Sequence, residues 1–408
     1  MKRKLMGMIL VVILILTTTQ VAFAQTEKHQ LKFDENGEFK IMHICDIQDK
    51  YPLNLSCAQY INEILAEYKP DLVVLGGDNT VADIEDKEEA IKEICELFTE
   101  SNTYFTLGFG NHDAEKNMSR EKQFEFYRLY GGEYCLAYDA DENLTGVGNH
   151  NLTVLSSDET YVAYNLYMFD SNMYVYDEDG NKLGYDCVHQ DQIDWYKETS
   201  ERLKAENGGK TVPALAFQHI VPQEANEVLF VQSPIPLGDL GKDCAETSYT
   251  FLPMFWNIKE GLMLEMPTSG YYNLGQFDAM VETGDVQAIF CGHDHINSYV
   301  IEKDGVEIIN TPSCTFRSYS DDTNRGCRLI TLNENDPENY KTEIIGIGEQ
   351  ALKENSQILS FGDMTVHQAR ASVVGAYIGD LVIKITHYVY EEIIPAISQI
   401  IGGNSVFR

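Results

Sequence analysis

The sequence predicts an α/β fold with two mixed sheets and a C-terminal helical extension, on three observations. Short β-rich runs ending in polar turns alternate with amphipathic helical stretches, the pattern of parallel βαβ units. Between Gly131 and Gly184 strands follow one another without intervening helices, which adds a second sheet. Beyond about Gly348, Val374, Ile378, Val382, Ile385, Val389 and Ile393 recur at spacings of three or four, the period of a long amphipathic helix.

Each element follows from its residues. Phe39 to Cys45 is the first strand, and Leu55 to Tyr68 is a helix with Ile61, Ile64 and Leu65 on one face, stopped by Pro70. Asp71 to Leu75 is the second strand, followed by a Glu- and Lys-rich helix from about Glu85 to Thr99. Tyr104 to Leu107 is the third strand, and Ser119 stands as the N-cap of a helix reaching about Tyr130. Leu152 to Leu155 and Val162 to Phe169 form the added meander. A helix from Gln190 to Ala205 and a buried strand from Pro213 to Phe217 come next.

Residues 228–272 have no sustained period and hold Tyr249, Phe251, Phe255, Trp256, Tyr271 and Tyr272. So long a loop is expected to serve as a wall or lid near the site, the alternative being an apolar cluster that only packs. A helix from Gln276 to Thr283 leads into the strand beginning at Val286. Tyr299 to Ile301, Val306 to Ile309 and Cys327 to Leu332 complete the sheets, with Asp304-Gly305 as a hairpin turn. The tail helix, kinked or ended near Pro395 and closed by Gly402-Gly403, is expected to dock on the body. Its mixed polar face (Asp380, Lys384, Glu391, Glu392) disfavours membrane contact.

Residues 1–24 read as an export signal: Lys2, Arg3 and Lys4, an apolar stretch from Leu5 to Leu16, and Ala22-Phe23-Ala24 before Gln25. The apolar run falls short of the ~20 residues that a membrane span needs. The organisation expected is a signal peptide, a main domain over 25–347 and an extension over 348–408, with the mature protein secreted or extracytoplasmic. A formal net charge of −34, from 64 acidic and 30 basic residues, repels polyanions and makes a nucleic acid polymer a poor candidate for the substrate. Nine cysteines are an odd count for a disulfide framework, and Cys45 and Cys291 lie inside apolar strands. Those two are expected as packed thiols, with at most a few bridges elsewhere.

The chemistry gathers where strands end. Cys291-Gly292-His293-Asp294-His295 closes the run from Val286 to Phe290. Two imidazoles two positions apart face one site only if the strand stops there, and Gly292 is expected to permit that turn. Other strands run into Asp46-Ile47-Gln48, Gly76-Gly77-Asp78, Gly110-Asn111-His112-Asp113 and Gln218-His219. Ligand types at the carboxyl ends of strands make a candidate metal site. Two divalent ions roughly 3.5–4 Å apart clamp phosphoryl oxygens and acidify a bridging water, and they need one carboxylate able to bridge. Asp78 is the natural bridge, with Asp46 on one ion, Asn111 and His219 on the other, and His293 and His295 divided between them. Mixed imidazole and oxygen ligation suits Mn, Fe, Co, Ni or Zn. His112, with a neighbouring carboxylate in Asp113, is the candidate acid for a leaving alkoxide. His43, inside the first strand, reads as a core histidine, and His29, His150, His189, His367 and His387 receive no role.

These blocks in this order resemble the calcineurin-like metallophosphoesterase superfamily. Within it, Phe217 to Pro222, Gly284 to His295 and Arg325-Gly326-Cys327-Arg328 resemble the purple-acid-phosphatase-related fungal and plant phosphoprotein phosphatases. The likeness runs from about Phe39 to Ile345. It implies a four-layer α/β/β/α sandwich, a dinuclear site for divalent ions such as Mn, Fe, Zn or Co, and hydrolysis of phosphate esters by a metal-bound hydroxide. Two positions depart from the pattern. The superfamily's first block is Asp-x-His, and Gln48 stands where that histidine ligand belongs, a neutral amide that donates weakly to softer metals. Asp49 is a candidate to compensate. Purple acid phosphatases proper carry a Tyr three positions after the bridging Asp, where this chain has Val81, so an Fe(III)-tyrosinate centre is not expected.

The function expected is an exported dinuclear phosphoesterase acting on a small phosphorylated substrate or a phosphoprotein. The alternatives are a phosphodiesterase acting on lipid head groups or nucleotides, and a metal- or phosphate-binding protein whose catalysis Gln48 has weakened.

Overall fold

The computed structural model describes residues 29–81, 85–116, 118–232, 249–321 and 324–347. The expected signal peptide, the extension over 348–408 and residues 233–248 of the long aromatic segment lie outside the described residues. In chain order the first elements are β1 (Leu31–Lys32), β2 (Glu38–Ile44), α1 (Leu55–Tyr68), β3 (Leu72–Gly76), α2 (Lys87–Ser101), β4 (Phe105–Gly108) and α3 (Arg120–Gly131). Then come β5 (His150–Leu155), β6 (Val162–Met168), β7 (Tyr174–Tyr176), β8 (Lys182–Tyr185), α4 (Gln190–Glu206), β9 (Ala214–Phe217), α5 (Glu224–Leu229), β10 (Phe230–Gln232) and β11 (Tyr249–Pro253). The last are α6 (Gln276–Thr283), β12 (Val286–Cys291), β13 (Val300–Lys303), β14 (Val306–Asn310), β15 (Gly326–Asn333) and β16 (Lys341–Gly346).

Two sheets organise these elements, in the orders β16-β15-β2-β3-β4 and β1-β5-β6-β9-β12-β14-β13. Strands β2, β3 and β4 pair in parallel, as do β6, β9, β12 and β14, while β15, β16, β5 and β13 join antiparallel. Period-two alternation then assigns each side chain to a layer. Ile41, Leu72 and Val74 of the first sheet meet Leu166, Leu215, Phe217 and Phe290 of the second, filling the space between the sheets. Their neighbours Met42, Ile44, Val73 and Leu75 face outward onto Ile61 and Ile64 of α1 and Ile91, Ile94 and Phe98 of α2. On the other side Ala216, Ile289 and Cys291 pack against Ile193 and Tyr196 of α4 and Phe277 and Met280 of α6. The result is the four-layer α/β/β/α sandwich. Each fully buried Val, Leu, Ile, Phe or Met among them contributes about 1.5–3 kcal/mol.

Local signals set the boundaries. The Asn54 side chain accepts hydrogen bonds from the Ser56 and Cys57 amides at the start of α1, and Lys69 ends it at φ 47° just before Pro70. Ser119 caps α3 through the Lys122 amide. Asp304 and Gly305 take φ of 49° and 87°, and Lys303 pairs with Val306, as a two-residue hairpin demands. His43 is wholly buried, with Nδ1 2.8 Å from Thr311 Oγ1, and burial pushes its pKa down to about 3. It is a neutral core imidazole. Cys45 and Cys291 are buried free thiols. No described helix is long and apolar enough to cross a membrane.

The sequence reading did not anticipate β1, β16 or the hairpin β7–β8. β16 alternates exposed with half-buried positions over most of its length, as suits a sheet edge, so its residues carry little periodic signal. In the long segment Phe255 packs against the outer core of the second sheet, whereas Trp256 is exposed. Further along, the amides of Ile296 and Thr268 donate to Glu265 and Asp294, binding the segment to the loop that carries His293 and His295.

Candidate metal centre

Five strand ends converge. Asp46 and Gln48 follow β2, Asp78 follows β3, Asn111 follows β4, His219 follows β9, and His293 and His295 follow β12. Backbone hydrogen bonds knit these ends together. The Asp46 amide donates to the Gly77 carbonyl (3.1 Å), Gln48 to the Asp78 carbonyl (2.9 Å) and Gly292 to the His219 carbonyl (3.2 Å). The His293 amide donates to Asp46 Oδ2 at 3.0 Å, and the His112 amide to Asp78 Oδ1 at 2.7 Å. To turn the side chains inward, Asp46, Gln48, Asp78 and His293 adopt φ of 51°, 40°, 49° and 73°. Left-handed backbone at a non-glycine residue costs on the order of 1–3 kcal/mol and gathers at functional sites.

The turn expected of Gly292 is thus made by His293 itself. Gly292 is required for another reason: a Cβ there would lie 2.9 Å from Asp46 Oδ2 and 2.9 Å from Cys45 Cβ. Gly110 is tighter still, since its Cβ would lie 2.5 Å from the Asp78 amide nitrogen, backbone that cannot swing aside. Gly110→Ala is expected to displace Asp78 and lower metal retention roughly 10- to 100-fold, the scale of disturbed ligand support. Metal content after dialysis, with circular dichroism to confirm the fold, checks this.

The side chains make a donor set for a cation. Ligand atoms of Asp78, His219 and His293 all lie within 4.8 Å of one another. His219 Nε2 is 3.2 Å from Asp78 Oδ2, while its Nδ1 donates to the Gly76 carbonyl at 2.9 Å, so that Nε2 points inward and can ligate a metal that displaces its proton. Among the described residues, His219 Nε2, His293 Nε2, Asn111 Oδ1 and Asp46 Oδ1 are buried side-chain atoms without a hydrogen-bond partner. Each such group costs about 1–3 kcal/mol when left unpaired, and with Asp46 Oδ1 3.9 Å from His219 Nε2 and His293 grouped with them, these atoms fit a divalent cation. The electrostatics agree. Burial opposes a charge on His219, yet Asp78 and Asp46 raise its pKa to about 10. At Asp78 the neighbouring His219 outweighs burial and holds the carboxyl well below its usual range. His295 forms a second group: its Nε2 is 3.4 Å from Asp46 Oδ1 and 3.3 Å from Gln48 Nε2, and its Nδ1 donates to the Tyr319 carbonyl at 2.8 Å. The two imidazoles of the His-x-His stretch thus have different neighbours, His293 lying with His219 and His295 with Asp46.

His112 borders this centre with its side chain partly exposed, Nδ1 2.9 Å from Glu115 Oε2. Glu115 also accepts a hydrogen bond from the Tyr174 hydroxyl, which itself accepts from Asn111 Nδ2 at 2.8 Å. Asp113 is placed differently from its expected catalytic part. Its Oδ1 accepts from the Asn79 and Thr80 amides and its Oδ2 from the Gly110 amide, so it holds two ligand loops together. The carboxylate that steadies His112 is Glu115's, three residues along, a spacing visible in the sequence. Asp49 does not compensate for Gln48 either: Arg317 Nε and the Lys50 and Asn54 amides occupy its carboxylate. Sequence reasoning also missed three tyrosines. Tyr174 touches Asn111, Tyr185 meets the His293 ring edge-on at 4.4 Å, and Tyr319 stacks on His295 at 4.2 Å. None lies at a readable spacing from the ligand it contacts.

Comparison with known proteins falls on the same span. The family model described as Calcineurin-like phosphoesterase matches residues 39–297. Probable inactive purple acid phosphatase 14 of Arabidopsis thaliana is 26% identical over 75% of this chain and 78% of its own length. Phosphatase DCR2 of Saccharomyces cerevisiae is 26% identical over 68% of this chain and 48% of its own. Among solved structures, a dimetal phosphatase from Danio rerio aligns with 75% of this chain and 98% of its own, at a TM-score of 0.46 and 11% identity.

Proposed function

From the premise that the chain belongs to the calcineurin-like phosphoesterase family, we propose that it is an exported phosphoric ester hydrolase working with two divalent ions on a small phosphorylated substrate or a phosphoprotein. The observation that carries this reading is the grouping of Asp78, His219, His293 and Asp46, with unpaired buried ligand atoms among them, beside a partly exposed, carboxylate-paired His112. Asp78, Asn111, His219 and His293 would hold one ion, and Asp46, Asp78, His295 and Gln48 the other. Bound there, divalent ions supply Lewis acidity toward phosphoryl oxygens and acidify the attacking water. The protein's own groups do the rest. His112, fixed through Nδ1 by Glu115, presents Nε2 to donate a proton to the leaving alkoxide. Asp78 ties the His112 backbone to the centre through Oδ1, so that acid and ligands keep one geometry. The charge of −34 weighs against polyanionic substrates, and the segment over 1–24 supports export.

A second reading, a binding protein with weakened turnover, is favoured by Gln48 and by the word "inactive" in a relative's name. An aryl phosphate assay on the purified protein, with Mn or Zn added and then chelated, separates the two. Hydrolysis that a chelator abolishes is expected. Metal uptake without turnover on any phosphomonoester or phosphodiester would establish the second reading instead.

A further inference from the structure

Gln48 is nearly fully buried, and its backbone is pinned by the hydrogen bond from its amide to the Asp78 carbonyl. Its side-chain Nε2 lies 3.2 Å from Asp78 Oδ2 and 3.3 Å from His295 Nε2. Both neighbours are acceptors. Asp78 is a carboxylate, and His295, whose Nδ1 donates to the Tyr319 carbonyl, accepts at Nε2 in the neutral form that binds a metal. Turned the other way, the amide would set its own oxygen against a carboxylate and a ring lone pair. The nitrogen therefore faces inward, two donors meeting two acceptors.

We propose that Gln48 makes the two ion positions unequal: its amide nitrogen stands in for a cation between Asp78 and His295, so that the Asp78, Asn111, His219 and His293 position fills first. The second position fills only at higher concentration, by an ion that accepts oxygen donors. This rests on the metal-dependent reading above and adds an order of loading to it. At the first position Asn111 Oδ1 and His293 Nε2 have no hydrogen bond to surrender, and His219 Nε2 gives up only its 3.2 Å approach to Asp78 Oδ2, a carboxylate that stays on as ligand. At the second, an ion must displace both amide contacts and rotate Gln48 before Oε1 can ligate. The donors then available are the Asp46 and Asp78 carboxylates, an amide oxygen and a single imidazole, a set that suits Mn or Mg better than Zn. Activity would then follow the supply of the harder ion while the first ion stays resident.

The test is calorimetric titration of the metal-stripped full chain with Zn and, separately, Mn, with ions counted after dialysis. The wild type is expected to retain one Zn per chain and to bind a second ion about 10- to 100-fold more weakly, with Mn preferred there. Gln48→His is expected to retain two Zn. Should that variant fail to fold, Gln48→Glu decides by the same titration, because a carboxylate of equal length is expected to tighten the second Mn. Two equal sites in the wild type, or unchanged stoichiometry and affinity in the folded variants, would overturn the inference and leave the metal-dependent reading standing. Wild-type protein that takes up no ion would overturn the reading beneath it.

Discussion

Asp78→Asn is expected to lower turnover on any phosphate ester by about three orders of magnitude, equivalent to about 4 kcal/mol of transition-state stabilisation, and to strip the centre of metal. Asp78 is the hub of the site. Its Oδ1 takes the His112 amide, its Oδ2 faces His219 Nε2 and Gln48 Nε2, and its carbonyl takes the Gln48 amide. Asparagine preserves the shape and removes the charge, and its amide nitrogen must face a donor on one side or the other. The apo fold should survive, since a buried carboxylate is removed and no cavity is made. Steady-state kinetics, metal analysis and thermal melting together check this. Retained metal and retained turnover would remove Asp78 from the role of shared ligand.

His112→Ala is expected to cost about 10²–10³-fold on alkyl phosphates, within the range of general acid catalysis, and less than about tenfold on an activated aryl phosphate. The difference arises because only a poor leaving group needs the proton. His112 is suited to that task by position: its ring reaches solvent, its Nδ1 is fixed by Glu115, and its amide is tied to Asp78. Comparing kcat on the two ester classes at fixed metal loading decides it. Equal losses on both would make His112 a substrate-binding group.

The ligands were legible in the sequence because each sits within a few residues of the end of an apolar strand, where the chain must turn and a polar side chain meets the mouth of the sheet. The candidate ligands Asp46, Asp78, Asn111, His219, His293 and His295 are all of this kind, and the structure groups Asp78, His219 and His293 and sets His295 beside Asp46. Helices α1 and α6 were legible down to their end residues, since Pro70 stops one and Gly275 and Gly284 bracket the other. What stayed hidden depends on contacts between distant segments. Arg317 claims Asp49 across 268 positions, and Tyr319 stacks on His295 from a loop with no periodic signal. Asp113 and Glu115 are both carboxylates near His112, and only the fold shows that one binds loop amides while the other faces the ring. The left-handed turn at His293 was assigned to Gly292 for a similar reason. Glycine is the usual bearer of positive φ, but here crowding against the side chains of Cys45 and Asp46 claims it first.

The ligands come from both sheets: Asp46, Asp78 and Asn111 from one, His219, His293 and His295 from the other. An ion held among them is a removable stitch across the open seam of the sandwich, added to the tie that already joins Asp46 to His293 across 247 positions of chain. An unfolded chain scatters these groups and binds the ion poorly, so binding favours the closed form. At an ion concentration a hundredfold above the dissociation constant the gain is about 2.7 kcal/mol. Metal supply would thus set how long the folded chain lasts as well as how fast it works, and a starved molecule would fray first along the seam where its chemistry is done.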